Sequence, residues 1–463
     1  MTRRATPLRL IAILLGCTLL ATACGDASGG VDAAAREVGN EADPIDEQPD
    51  IGQPDAEPDR ETEPVASDET VPVELTASFR GVTADTIRVG VTAIDWDTLA
   101  AAGVPFGRTN AGDLWTAAIE EINDRGGVHG RTLEVVVEEY LPIGSTEFDA
   151  ACNRLTQDEE VFVVIGQALE DHVLCLIELN DTAAVVVAGM ADPIVERANA
   201  PYATLWASFE HQARSVVELA EDAGVGPGAT VGISGSADVA IVEYQTIVAA
   251  FRDAGYDVVE GLVGANDDDL SETSQAMALV YERFRDADVD LTVATTGVAN
   301  EIFNAQSAGY TTDQWLLSVV MDASSLGEAG VDLAYLDGAL AVVNTPVSTD
   351  AQPTMGDDPA VAACIDDLEN RTGRTIPYDL GLDVNDLPAA LYACAVADIV
   401  EQALLLAGPD LTNESFQAGL ESIGDIDLAG YFEASLTADD LGAAGGLRLA
   451  EFDSAAGAWN LID

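Results

Sequence analysis

The chain has 463 residues, 48% of them hydrophobic, and a formal net charge of −63. That length and apolar content support a large core and exceed one ordinary domain, so two lobes are expected. All 19 basic residues are arginine. The lack of lysine excludes P-loop, Schiff-base and kinase-type chemistry, and the acidity argues against nucleic acid as a partner, because an acidic surface repels phosphate.

Arg3, Arg4 and Arg9 precede an apolar run from Leu10 to Leu20, and small residues then lead to Cys24. The run is too short to span a bilayer and reads as a signal peptide over residues 1–23. Ala21-Thr22-Ala23-Cys24 resembles a bacterial lipobox, with Ala in place of the commoner Leu at its first position. That resemblance implies cleavage before Cys24 and a diacylglyceryl thioether on its sulfur; ordinary secretion with cleavage elsewhere is the alternative. Residues 24–80 are rich in Asp, Glu, Pro, Gly and Ala and read as a disordered acidic tether. No second apolar stretch is long enough to span a membrane, which leaves the lipid as the anchor on the extracytoplasmic face of the cell membrane.

The folded part begins near Asp85. TIRVGVTAI (86–94) is a continuous apolar run expected of a strand buried on both faces. Leu114, Trp115, Ala118, Ile119 and Ile122 recur at helical spacing, Gly126 or Gly127 can supply the left-handed cap, and LEVVVEE (133–139) follows. Residues 145–160 read as a helix with Ser145 as N-cap, 161–166 as a strand, 171–179 as a helix and 183–189 as a strand. A second series starts near Tyr202, with strands at 229–236, 290–297, 314–320 and 338–346 and helices between them. Helices fill 359–371 and 387–407, and the tail carries a helix near 412–422 and strands near 426–432 and 447–453. Two successive alternating sets argue for two doubly wound α/β lobes.

EEINDRGGVHGRTLEVVVEEY (120–140) resembles the signature of type I periplasmic ligand-binding proteins, the branched-chain amino acid-binding branch of ABC-importer receptors. IRVGVTAI, VFVVIGQ, VAAFRDAGYDVV and LAGYFEASLTADDLGAAGGLRLAEFD resemble further parts of the same family, over roughly residues 85–463. The resemblance implies a clamshell of two α/β lobes joined by three crossing segments that close on a small molecule, the closed form docking on a membrane permease. By that analogy lobe one is 85–204 plus 346–409, and lobe two is 205–345 plus 410–463. It implies a monomer that needs no cofactor.

In open α/β sheets ligands sit beyond the carboxyl ends of the strands. The candidate contacts are therefore Asp95, Trp96, Gln167, Ala168 and Met190 in lobe one, and Ser236, Asp238, Thr296 and Asp322 in lobe two. Amino acid-binding relatives place Ser or Thr hydroxyls in the loops that here read GQALED and AGMAD, so inheritance of amino acid specificity is in doubt. An amine or cationic group is the alternative, with Trp96 available for a cation–π contact. His129, His172 and His211 are scattered, which argues against zinc, and GISGS (232–236) misses the nucleophile-elbow spacing; neither supports an enzyme. Four cysteines remain after export. Their places on neighbouring helices predict Cys152–Cys175 and Cys364–Cys394. Two functions stay open: a solute receptor for an ABC importer, and a sensing or interaction lipoprotein built on the same clamshell.

Overall fold

The computed structural model describes residues 75–101, 108–142, 146–168, 170–264, 270–295, 298–320, 323–380 and 386–462. The expected signal peptide, Cys24, the expected tether up to residue 74, and Ser145 lie outside the described residues.

Strands β1 (Thr86–Ile94), β2 (Thr132–Tyr140), β3 (Val163–Gln167), β4 (Ala183–Val187) and β5 (Tyr202–Trp206) come first. They are followed by β6 (Thr230–Ser236), β7 (Asp257–Val263), β8 (Leu291–Ala294), β9 (Trp315–Leu317) and β10 (Leu340–Val343). The chain closes with β11 (Gly424–Ile426), β12 (Ala434–Leu436), β13 (Gly442–Ala444), β14 (Arg448–Asp453) and β15 (Ala458–Ile462). One sheet has the order β13-β5-β4-β3-β1-β2, a second β15-β14-β10-β9-β8-β6-β7, and β11 and β12 pair alone. The first sheet is parallel throughout; the second is parallel except for β14 and β15 at one edge.

The helices are α1 (Trp96–Ala101), α2 (Gly112–Asp124), α3 (Thr146–Asn153), α4 (Asp192–Val195), α5 (Phe209–Asp222) and α6 (Ala237–Asp253). They continue with α7 (Leu270–Asp286), α8 (Val298–Ser307), α9 (Ala323–Glu328), α10 (Pro359–Thr372), α11 (Leu387–Ala407) and α12 (Asn413–Glu421). Each sheet is covered on both faces, which explains the unbroken apolar strands. In β4, Ala183, Val185 and Val187 face the core shared with α2 and α11, while Ala184 and Val186 face the core that holds Phe148 and Leu155. The period of two thus divides one strand between two cores.

The corner after α2 is held by side chains as well as glycines. Asn123 exchanges two hydrogen bonds with the backbone of Leu133, Nδ2 donating to its carbonyl (2.9 Å) and Oδ1 accepting from its N–H (2.7 Å). Arg131 is 1% exposed and donates to the carbonyls of Thr83 (2.8 Å), Pro409 (2.8 Å) and Thr76 (3.1 Å). That arginine fastens the start of the folded chain. Residues 76–80, expected in the tether, are docked, with Phe79 edge-on to Phe162 at 6.0 Å and Arg80 donating to the carbonyls of Asn180 and Asp181. Phe79 is the first aromatic residue after Cys24, and its packing against Phe162 places it in the folded body.

Cys152 is bridged to Cys175, and Cys364 to Cys394, each at 2.08 Å. The helix predicted over 145–160 is α3 followed by a π turn, Arg154–Asp158, and Cys175 opens a second π turn, Cys175–Leu179. Helical spacing of apolar residues does not distinguish such turns from an α-helix.

The chain passes between the lobes three times: between β5 and α5 (206–209), after β10 (343–347), and between β13 and β14 (444–448). The third crossing departs from the division expected at residue 410. Leu411, Phe416, Leu420, Leu428, Leu436 and Ala443 belong to the first-lobe core, α12 lies on α11, and β13 pairs with β5. Phe416 sits 5.5 Å from Phe162, ring to ring, and so draws α12 into the first lobe.

Candidate functional site

In the first lobe the carboxyl ends of β1, β3 and β4 carry the predicted contacts. Asp95 is the cap of α1: Oδ1 accepts from the Thr98 N–H (3.0 Å) and Oδ2 from the Thr98 hydroxyl (2.7 Å). These bonds hold its carboxyl below the usual aspartate range. Asn110 donates through Nδ2 to both Asp95 (3.2 Å) and Glu139 (2.9 Å), bridging two carboxylates. Burial, with the charge of Asp95 added, pushes Glu139 up. Asp95 therefore already has internal partners.

Gln167 is half-buried, and its carbonyl accepts from the Tyr140 hydroxyl at 3.2 Å. Ala168 and Met190 are buried in one apolar cluster, against which Trp96 packs. The Met190 carbonyl accepts from the N–H of Phe209, the first residue of α5, at 2.7 Å. Val242, on α6 of the second lobe, packs against the same cluster. The structure thus brings Trp96, Ala168 and Met190 together on an apolar seam that reaches across to the second lobe.

In the second lobe Ser236 ends β6 and Asp238 lies in the first turn of α6. Thr296 and Asp322 lie outside the described residues. The described residues of this lobe also hold a buried polar group that the sequence reading missed. Glu243 (α6) and Glu301 (α8) are 2% and 1% exposed, among Ser234, Thr295, Asn304 and Ser318. Ser318 donates to Glu243 Oε1 at 2.5 Å, and Ser234 to Glu301 Oε2 at 2.7 Å. Burial pushes the Glu301 carboxyl up to about 8, the Ser234 bond opposing and the nearby Glu243 reinforcing the shift. A signal existed: Glu243, Ile247 and Phe251 form one buried stripe at spacings of four. An acid on such a stripe is a buried acid.

Two open depressions, about 370 Å³ beside Tyr244 and Arg252 and about 340 Å³ beside Asp113 and Arg371, are lined chiefly by α6 and by α2 with α10, and include none of the predicted contacts.

Residues 110–458 match the sequence profile of the family described as periplasmic binding protein. The chain belongs to that family. As a periplasmic binding protein of type I fold, it has the two parallel α/β lobes of that class. It superposes on a fatty acid ABC transporter substrate-binding protein from Thermomonospora curvata with TM-score 0.60 and 18% identity, over 84% of this chain and 94% of that one. A branched-chain amino acid ABC transporter protein from Thermus thermophilus with bound valine gives 0.59 and 16%, over 82% and 96%. A solute-binding protein from R. palustris in complex with 4-hydroxybenzoate gives the same four values. At these identities the likeness establishes the fold of this periplasmic binding protein and not its ligand. No curated protein matches the sequence.

Proposed function

We propose that the protein is a lipid-anchored extracytoplasmic solute receptor. It captures a small polar molecule between its lobes and delivers it to an ABC permease, without catalysis. The observation that carries this reading is the set of three short crossings between two parallel sheets, near which the first-lobe seam meets α6 of the second lobe. Contacts made to both lobes favour a closed state over an open one. The proposed contact set is Asp95, Trp96, Gln167, Ala168 and Met190 from the first lobe and Ser236, Asp238, Thr296 and Asp322 from the second.

The solute is not a simple branched-chain amino acid. Ala168 and Met190 are apolar and buried, so the first lobe offers no hydroxyl there to hold an α-carboxylate. A group left without its hydrogen-bond partner loses about 1–3 kcal/mol, so two such losses weaken binding by orders of magnitude. Mass spectrometry of the small molecules released on denaturing the purified protein tests the receptor reading, and a stoichiometric solute is expected. Micromolar or tighter binding of leucine, isoleucine or valine in calorimetry refutes the specificity. Cys24→Ala should release the protein from the membrane; normal processing and retention of that variant would refute the anchor.

A further inference from the structure

We propose that Glu301, in the first turn of α8 beyond the carboxyl end of β8, is a proton switch, protonated in the empty protein and ionised when a positively charged solute binds at that strand end. The proposal rests on the solute-receptor reading and adds the chemical class of the solute.

Glu301 stands in the first turn of α8, directly after the end of β8, where the fold places ligand loops. Its carboxyl is buried, with Ser234 as its close hydrogen-bond donor and the Thr295 backbone adding a smaller stabilisation of the charged form. Oε2 accepts from Ser234, and Oε1 has no hydrogen-bond partner. Among the described residues no arginine forms an ion pair with it, and the chain has no lysine. The groups facing it are Ser234 from β6, Glu243 from α6, Tyr281 from α7 and Thr295 from the end of β8; the Tyr281 hydroxyl donates to the Glu301 carbonyl at 3.0 Å. Asn304 and Tyr310 follow it on and after α8. None of these neighbours is cationic. A carboxylate here lacks a counter-charge, and burying one is costly unless it is paired.

The hydrogen bonds accommodate both states. With the proton present, Glu301 donates to Ser234 Oγ, and Ser234 turns its own hydrogen to the Val293 carbonyl, 3.4 Å away. When the proton leaves to solvent, Ser234 turns back and donates to Oε2. A cation placed beside the carboxyl group stabilises the ionised form, so its binding expels one proton and strengthens as pH rises. A neutral or anionic solute has no such linkage.

The test uses the full chain with glutamate side-chain carbons labelled for NMR. Glu301→Gln identifies the resonance, and Ser234→Ala serves as the second variant should Glu301→Gln fold poorly. In the free protein Glu301 should titrate above pH 7, and higher still in Ser234→Ala; titration near the ordinary glutamate value overturns the switch. Calorimetry with putrescine, agmatine and choline between pH 6 and pH 8.5 then reads the linkage. At least one should bind with affinity rising toward about tenfold per pH unit, with the slope abolished in Glu301→Gln. If none of the three binds, or if the slope persists in Glu301→Gln, the cation switch is wrong. Binding of leucine or 4-hydroxybenzoate without proton release also overturns it, while leaving the receptor reading intact.

Discussion

Gly126 and Gly127 are neighbours with φ of 109° and 66°, yet a methyl group would meet different surroundings at each. At Gly126 there is open space, whereas at Gly127 a Cβ would run into the backbone carbonyl of Arg131. Gly126→Ala should cost about 1–2 kcal/mol from backbone strain alone, and Gly127→Ala more than about 3 kcal/mol, because the corner itself must open. Urea unfolding of the two variants checks the order; equal losses would mean that the corner yields. Asp398, on α11, gives a second residue-level test. Burial, with Glu401 beside it, pushes its carboxyl up to about 6 from 3.8. Between those values the folded state holds a proton that the unfolded state has lost, so stability falls as pH rises through that window and is level above it. Asp398→Asn should leave stability near pH 3.5 unchanged and raise it by roughly 1–3 kcal/mol at pH 7–8, as thermal melts across pH would read. The glycine corner was legible in the sequence because only a positive φ ends a helix so abruptly before a strand. Asp95 was legible as a loop acid, but its role was not: Thr98, three residues on, takes both its oxygens, and an Asp at a helix start reads equally as ligand contact or cap.

The two disulfides tie elements of the first lobe. Cys152 and Cys175 are 23 residues apart, and Cys364 and Cys394 are 30 apart. Closing loops of those lengths removes unfolded-chain entropy worth about 3–4 kcal/mol each. Serine replacement of either pair should lower the unfolding free energy measured in urea by a comparable amount, and the double replacement by roughly the sum. A loss under about 1 kcal/mol would imply that the reduced chain is already constrained. The long apolar strands and α11 were plain in the sequence because burial on both faces leaves no polar positions. The side of the hinge taken by residues 411–444 was not. The periodicity of α12 shows that one face is covered, but not which lobe covers it, and β13 is three small residues without a pattern. Composition hid the buried glutamates among 82 acidic residues, and only the place of Glu243 on the stripe of Ile247 and Phe251 set one of them apart.

The net charge of −63 makes the whole molecule self-repelling. Screening lengths shrink from about 30 Å at 0.01 M salt to about 3 Å at 1 M, so the melting temperature should climb as KCl is raised over that range. A flat or falling curve would show that the surface carboxylates are held apart well enough to be indifferent to screening. The third crossing, at 444–448, has a consequence of another kind. The first lobe is written in two instalments, and its largest core draws on residues from Val82 to Ala444. The second lobe's segment, from α5 to β10, arrives between those instalments. A chain emerging amino end first can close Cys152–Cys175 early, but the first sheet must wait, half clad, until α11 and α12 arrive. The half-built lobe exposes the apolar faces of α2, β1 and β4 throughout that interval. That makes assembly a matter of timing, and the moment of greatest exposure to aggregation falls before residue 387 has emerged.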